Sequence, residues 1–313
     1  KPNNMISISN LVFRMKKNAV GLATIAILSS MVLVTLVGAA SIYAGKKDYL
    51  ASAAPHDYSV TGTNVDLTST EKIMDDFLAQ SGNQVNEKAE VTYLYFGIKE
   101  QEKNKLTIFP ENERKVLPKS IFLVFSQATY KQLTGKDLNL ASNQVGLYSK
   151  SKTLKDQKSL SFNGQTYQIQ DDINDFIKGK VPNIFTIIVS DYNYLVVPDM
   201  DVFKESIKGT ATTQATYIGV NVKDPTHDAK KNSDLLDQMT DKETQQLAGQ
   251  TTGVSQSYLT ANSQYDTEGM LNGFVGGTLF IGIFLSIIFM LGTVLVIYYK
   301  QISEGYEDRE RFV

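Results

Sequence analysis

Two long stretches of this 313-residue chain contain no charged side chain at all: Asn18 to Gly45, and Gly269 to Tyr299. A helix crosses the hydrocarbon core of a bilayer with about 20 apolar residues, and both stretches exceed that. Their centres, AILSSMVLVTLVGAA and TLFIGIFLSIIFMLGTVLVIYY, are also longer than the apolar core of a signal peptide. The expectation is a membrane protein: two transmembrane α-helices, 18–45 and 269–299, flank an extracellular α/β (α+β) domain over 46–268 with a small mixed sheet and a C-terminal helical stalk.

Orientation follows from the flanks. Arg14, Lys16 and Lys17 precede the first stretch, and Lys46 and Lys47 follow it; Asp266 and Glu268 precede the second, and Lys300 follows it. The positive-inside rule then favours both ends in the cytoplasm and 46–268 outside, since long loops translocate regardless of their lysines. Small residues suit helix packing in lipid: Gly269, Gly273 and Gly277 recur every four residues, and Gly38 sits in the first stretch beside Ala39, Ala40 and Ser41. Before the first span, Ile8, Leu11, Val12 and Met15 fall at helical spacing, predicting an amphipathic elbow over 1–17 at the inner interface.

In the central segment, Thr68 and Glu71 read as a capping box, opening a helix whose apolar face is Ile73, Met74, Phe77 and Leu78. Candidate strands are Glu90–Ile98, Ser120–Phe125, Gln144–Tyr148, Gln165–Gln170, Ile184–Val189, Tyr194–Val197 and Thr216–Val222, rich in β-branched and aromatic residues. Two stretches, Ile121–Gly135 and Tyr194–Gly209, each read as strand, cap, helix, Gly; two βαβ-like units would place helices on one face of a sheet. Residues 225–268 carry no strand signal but a helical one, with Leu235, Leu236, Met239 and Leu247. A helix running from there into the second span would be a rigid lever.

The chain contains no Cys, which excludes disulfides and thiolate metal sites, and its two His, His56 and His227, lie in polar sequence surroundings. There is no G-x-x-x-x-G-K-[ST], G-x-S-x-G, H-E-x-x-H or calcium-loop motif, so no catalytic or metal site is expected. Asp171, Asp172 and Asp175 cluster, and read as a solvated acidic face. Residues 46–268 hold 24 basic and 29 acidic side chains, a mildly acidic balance that suits cationic peptides and gives no pull toward nucleic acid. Tyr192 and Tyr194 are expected either to offer stacking surface or, as strand residues, to pack.

Two flanking stretches carry a resemblance. ISNLVFRMKKNAVGLATIAILSSMVLVT is similar to the elbow and first span of the second half of BceB-like permeases, of the bacitracin-resistance type. VLVIYYKQISEGYEDRERFV resembles the segment leaving their next span. BceB-like permeases belong to the FtsX/MacB superfamily, and the likeness covers about fifty residues. It implies an ABC transporter permease, seen here in part, that confers resistance to cell-wall-targeting peptides and senses them. ATP and Mg would be bound on a separate cytoplasmic ATPase, with no cofactor and no catalysis in this chain. Further implied partners are a membrane sensor histidine kinase, membrane lipid, and a peptide antibiotic or lipid-linked wall precursor. By position, 300–313 would begin an ATPase-coupling segment, with Glu304, Glu307, Asp308, Arg309, Glu310 and Arg311 as its docking charges. An FtsX-like regulator that activates a wall hydrolase is the alternative, and a self-contained two-span receptor a third reading.

Overall fold

The structure, a computed structural model, describes residues 2–113, 118, 120–182, 191–248 and 256–309, with backbone alone for 2–18, 20, 22, 171, 172, 248, 304 and 307–309. The chain forms two compact units: 48–268, and the pair made of 1–47 with 269–313.

The second unit is two helices, α1 (Pro2–Ala53) and α7 (Gln264–Arg309). Helical stretches of 31 residues (Ala23–Ala53) and 40 residues (Gln264–Ser303) are long and apolar enough to cross a membrane. α1 is unbroken from Pro2, so the backbone sets no boundary between the predicted elbow and the span. The side chains of Ile8, Leu11, Val12 and Met15 lie outside the described residues.

The unit 48–268 is built on a ten-stranded mixed sheet, not the small one expected. In chain order its elements are β1 (Tyr58–Thr63), α2 (Leu67–Ser81), β2 (Val85–Glu102), β3 (Lys105–Ile108), β4 (Ser120–Ser126), α3 (Gln127–Thr134), β5 (Gln144–Ser149), α4 (Lys152–Lys155), β6 (Ser159–Phe162), β7 (Gln165–Asp172), β8 (Asp191–Val197), α5 (Met200–Ser206), β9 (Thr212–Val222), α6 (Ala229–Ala248) and β10 (Tyr258–Ser263). The strand order is β10-β1-β9-β2-β3-β6-β7-β5-β8-β4, and β4 pairs again with β2. That last pairing closes β2, β3, β6, β7, β5, β8 and β4 into a ring, from which β9, β1 and β10 extend as a wing. The long strand β2 makes this possible: Val85–Phe96 pairs with β9, Ile98–Glu102 with β3, and Leu94–Ile98 with β4.

Strand periodicity then divides the apolar residues between faces. Leu94, Phe96 and Ile98 of β2, Phe122 and Val124 of β4, Val145 and Leu147 of β5, Leu160 and Phe162 of β6, and Leu195 and Val197 of β8 form one buried cluster, the filling of the ring. Phe203 and Ile207, at and just past α5, complete it. The alternate residues, Tyr93, Ile121, Leu123, Phe125, Tyr194 and Val196, face the other way into a second core, covered by Tyr130 of α3 and by Ile173, Phe176, Ile177 and Val181. A third core lies between the wing and helices α2 and α6: Tyr58, Val60, Ile218, Val220, Ile73, Met74, Phe77 and Leu236.

Both faces of β4 and β8 are therefore buried, which is why SIFLVFS and YLVV read as continuous apolar runs. The two βαβ-like units do not fold as expected. β4 and β8 pair with each other in parallel, whereas β5 pairs antiparallel to β8 and β9 lies beyond β2, so no strand pairs with the one that follows its own helix. Helices accordingly cover both faces. α2 starts two residues earlier than the predicted capping box: Asp66, not Thr68, is the N-cap and accepts from the Ser69 amide at 2.8 Å, and Gly82 ends the helix at φ 70°. The strand proposed at Ile184–Val189 lies outside the described residues.

Residues 225–268 do contain a strand, β10, which the polar sequence YLTANS concealed. It pairs with β1 from Tyr58↔Ser263 to Thr63↔Tyr258, and its free edge is met by Thr244 of α6, whose hydroxyl accepts from the Leu259 amide (2.9 Å) and bonds its carbonyl (3.2 Å). The expected lever from α6 into the second span is thus interrupted: the helix that continues into the apolar stretch starts at Gln264, directly after β10.

Candidate functional site

α1 and α7 pack antiparallel. Leu28 lies against Gly292, Ala39 against Gly282, and the Thr35 and Ser286 hydroxyls are 3.3 Å apart; toward the opposite end Lys46 bonds Asn272. On α7 the buried line is Leu271, Val275, Gly282 and Ser286; on α1 it centres on Ala39. A Cβ at 282 would touch the Ala39 methyl at 3.4 Å and the Thr35 carbonyl at 3.5 Å, ordinary contact distances, so Gly282 faces α1 and any side chain larger than a methyl would press on it. The predicted packing glycines do not lie at the contact between α1 and α7. Gly269, Gly273, Gly277 and Gly38 would each carry a side chain into open space. The physical reason is helical phase: Gly273 stands nine residues before Gly282, about 180° around the helix. Spacing of four makes a stripe but does not say which stripe meets the partner. Gly282 is a lone glycine with no repeat to signal it.

α7 carries Glu304, Glu307, Asp308 and Arg309 in its final turns, with side chains outside the described residues; Glu310 and Arg311 lie outside them altogether.

Where α7 begins, Ser263 caps it by accepting from the Asp266 amide (3.0 Å), while the Asp266 carboxylate accepts from the hydroxyls of Ser263 (2.8 Å) and of Ser233 in α6. Thr267 donates to Asn262 at 2.8 Å, and Asn262 donates to the Ala53 carbonyl at the end of α1 at 3.0 Å. The start of α7, the end of α1, β10 and α6 are thereby tied by polar bonds inside the unit 48–268.

Beside this joint His56 is buried, not set in polar surroundings as its sequence neighbours suggest. Its Nδ1 is 2.7 Å from the Tyr217 hydroxyl, and a side chain at Gly219 would run into its ring. Burial holds the imidazole below its usual pKa of 6.5, against the weaker opposing pull of Glu87 and Asp57; burial pushes Tyr217 up. The His is neutral in the fold, a packing and hydrogen-bonding residue.

A pocket of about 220 Å³ is lined by Lys150, Asp175, Lys178, Tyr192 and Tyr194 among others. Tyr192 and Tyr194 are buried, so they pack instead of offering a free stacking surface. Tyr194 stacks on Tyr148 at 4.9 Å between ring centres and lies 5.6 Å from Tyr192. Of the predicted acidic cluster, Asp175 is only partly exposed: its Oδ1 is buried and has no hydrogen-bond donor among the described residues. Burial first, and then the Asp175 charge, push Tyr148 up to about 12. The side chains of Asp171 and Asp172 lie outside the described residues.

No family model matches this chain, and no curated protein matches it. Among solved structures it is similar to one from Bacillus anthracis described as a "Putative Lipoprotein", at 10% identity and a TM-score of 0.31 over 56% of this chain and 92% of that one, a likeness too slight to carry an argument.

Proposed function

We propose that this chain is part of the permease of an ABC transporter that protects bacteria from cell-wall-targeting antimicrobial peptides and senses them. In this reading α1 and α7 span the cell membrane, 46–268 lies outside, and both chain ends lie in the cytoplasm. The observation that carries it is the antiparallel apolar pair bracketing a large folded unit. Antiparallel packing puts the start of α1 and the end of α7 at the same end of the pair, as two spans joined by an external domain require. The flanking resemblance adds the class.

The work divides accordingly. ATP would be hydrolysed on a separate ATPase, docked near Glu304, Glu307, Asp308, Arg309, Glu310 and Arg311, and its motion would travel along α7. The first turn of that helix, within the unit 48–268, stands in a polar network with α6, β10 and the end of α1, and such motion would enter the outer domain there. A peptide antibiotic or a lipid-linked wall precursor would be engaged outside, and a sensor kinase could read the same movement. In the full permease, deleting 60–260 is expected to abolish peptide resistance while leaving the ATPase bound; resistance that survives the deletion overturns the reading. Protease added to intact cells should cut within 46–268, and full protection of that region would reverse the orientation.

A further inference from the structure

We propose that the tyrosine-walled pocket beside β8 binds a small zwitterion, a group carrying a primary amine and an anionic oxygen group a few bonds apart. The proposal does not rest on the transport reading. Its first support is the orphaned carboxylate. Asp175 is partly buried, its Oδ1 is shut off from solvent with no donor among the described residues, and native folds pair nearly all such atoms. An ammonium supplies the missing donors, and the Tyr192 and Tyr194 rings, buried at 4% and 1% exposure, give it aromatic walls.

The second support is the charge pattern around the carboxylate. Lys178 is matched by Asp48 at 3.8 Å. Lys150 has no ion-pair partner among the described residues; its ammonium stands 4.4 Å from the centre of the Tyr192 ring, and the residue is exposed. What remains uncompensated is therefore one negative charge inside, on Asp175, and one positive charge at the rim, on Lys150. A cation alone would leave Lys150 without a partner, and an anion alone would be opposed by Asp175. A molecule with both charges satisfies both, amine inward and anion outward, and a volume of about 220 Å³ holds a group the size of an amino acid and little more. The anionic half can be a carboxylate, as on an amino acid, or a phosphate, as on the ethanolamine headgroup of a lipid.

Titration calorimetry on the full chain in detergent tests this with two zwitterionic probes, alanine and phosphoethanolamine, and two half-probes, ethanolamine and inorganic phosphate. At least one zwitterion should bind saturably and at least about tenfold tighter than either half, since one good charge-assisted contact is worth about that factor. Preference for alanine identifies a carboxylate ligand, and preference for phosphoethanolamine a phosphate one. Asp175→Asn and Lys150→Gln should each weaken binding about tenfold or more; Lys150 is exposed, so its variant carries the test even where Asp175→Asn does not fold. Absence of saturable binding by both zwitterions, half-probes that bind as tightly, or wild-type affinity in Lys150→Gln overturns the proposal.

Discussion

The helix pair and the sheet unit use the same apolar residue types with opposite placement. In the sheet unit Phe122 is 0% exposed, at the centre of the ring. In the pair, Phe280 is 70% exposed, Val34 71% and Leu33 63%, while the buried line holds Ala39, Gly282 and Ser286. One region hides its large residues and shows polar ones; the other shows most of its large residues and hides Ala39, Gly282 and Ser286 along with Leu271 and Val275. In water the hydrophobic effect drives the first arrangement. The second is what lipid selects, because apolar side chains gain nothing there by facing inward and close backbone packing decides association. The contrast teaches that burial marks the structural contacts in both regions but carries a different chemical signature in each, as the proposed membrane setting of the helix pair would require.

That contrast can be broken by mutation. The largest effect is expected from Phe122→Ala, which empties the middle of the ring and removes ring contacts with Phe96 (5.8 Å) and Phe162 (5.3 Å). Denaturant unfolding should show a loss of about 3–5 kcal/mol. Phe280→Ala, by contrast, should cost little in detergent, since its ring contacts chiefly Phe284.

Next comes the glycine that sets the pair. Gly282→Leu should push α1 and α7 apart at a cost of about 1–3 kcal/mol. Gly273→Leu, in the more conspicuous stripe, should leave the pair intact. The chain has no native Cys, so a Thr35→Cys, Ser286→Cys variant reports this cleanly: the disulfide should form readily alone, fail with Gly282→Leu and persist with Gly273→Leu. Loss of the crosslink in both variants would mean that the two stripes are not distinguished.

A third prediction sharpens the role of the joint. His56 is held neutral, with its folded pKa below 6.5. The unfolded chain therefore binds more protons than the fold between the folded value and 6.5. The stabilisation is complete above pH 6.5 and is lost as the pH falls below it, at no more than about 1.4 kcal/mol per pH unit. Unfolding midpoints from pH 8 to pH 5 should drop for the native chain and lose this component in His56→Gln. The smallest change is expected from Asp66→Ala, which removes the α2 cap for about 1 kcal/mol in thermal unfolding.

Much of the fold was legible locally. Runs such as SIFLVFS and YLVV announced strands because both of their faces are buried, and Ser126 and Asp199 announced helix starts because each side chain caps the amides that follow. β1, β3, β6 and β10 escaped notice because they are short or polar and earn their pairing from neighbours: β10 is held by β1 and Thr244, and β1 lies between β9 and β10. Of the sites, the tyrosines and Asp175 were visible as residues but not as a pocket.

The sequence by itself determined that two helices are long and apolar enough to cross a membrane and that a strand-rich unit lies between them, since hydropathy and side-chain period are properties of consecutive residues. Only the tertiary structure decided that β2 and β4 close a ring, that Gly282 and not Gly273 meets α1, and that the buried Asp175 Oδ1 shares a pocket with Lys150. Each of these depends on which distant residues become neighbours, and that is set by strand register and helical phase summed over the whole chain.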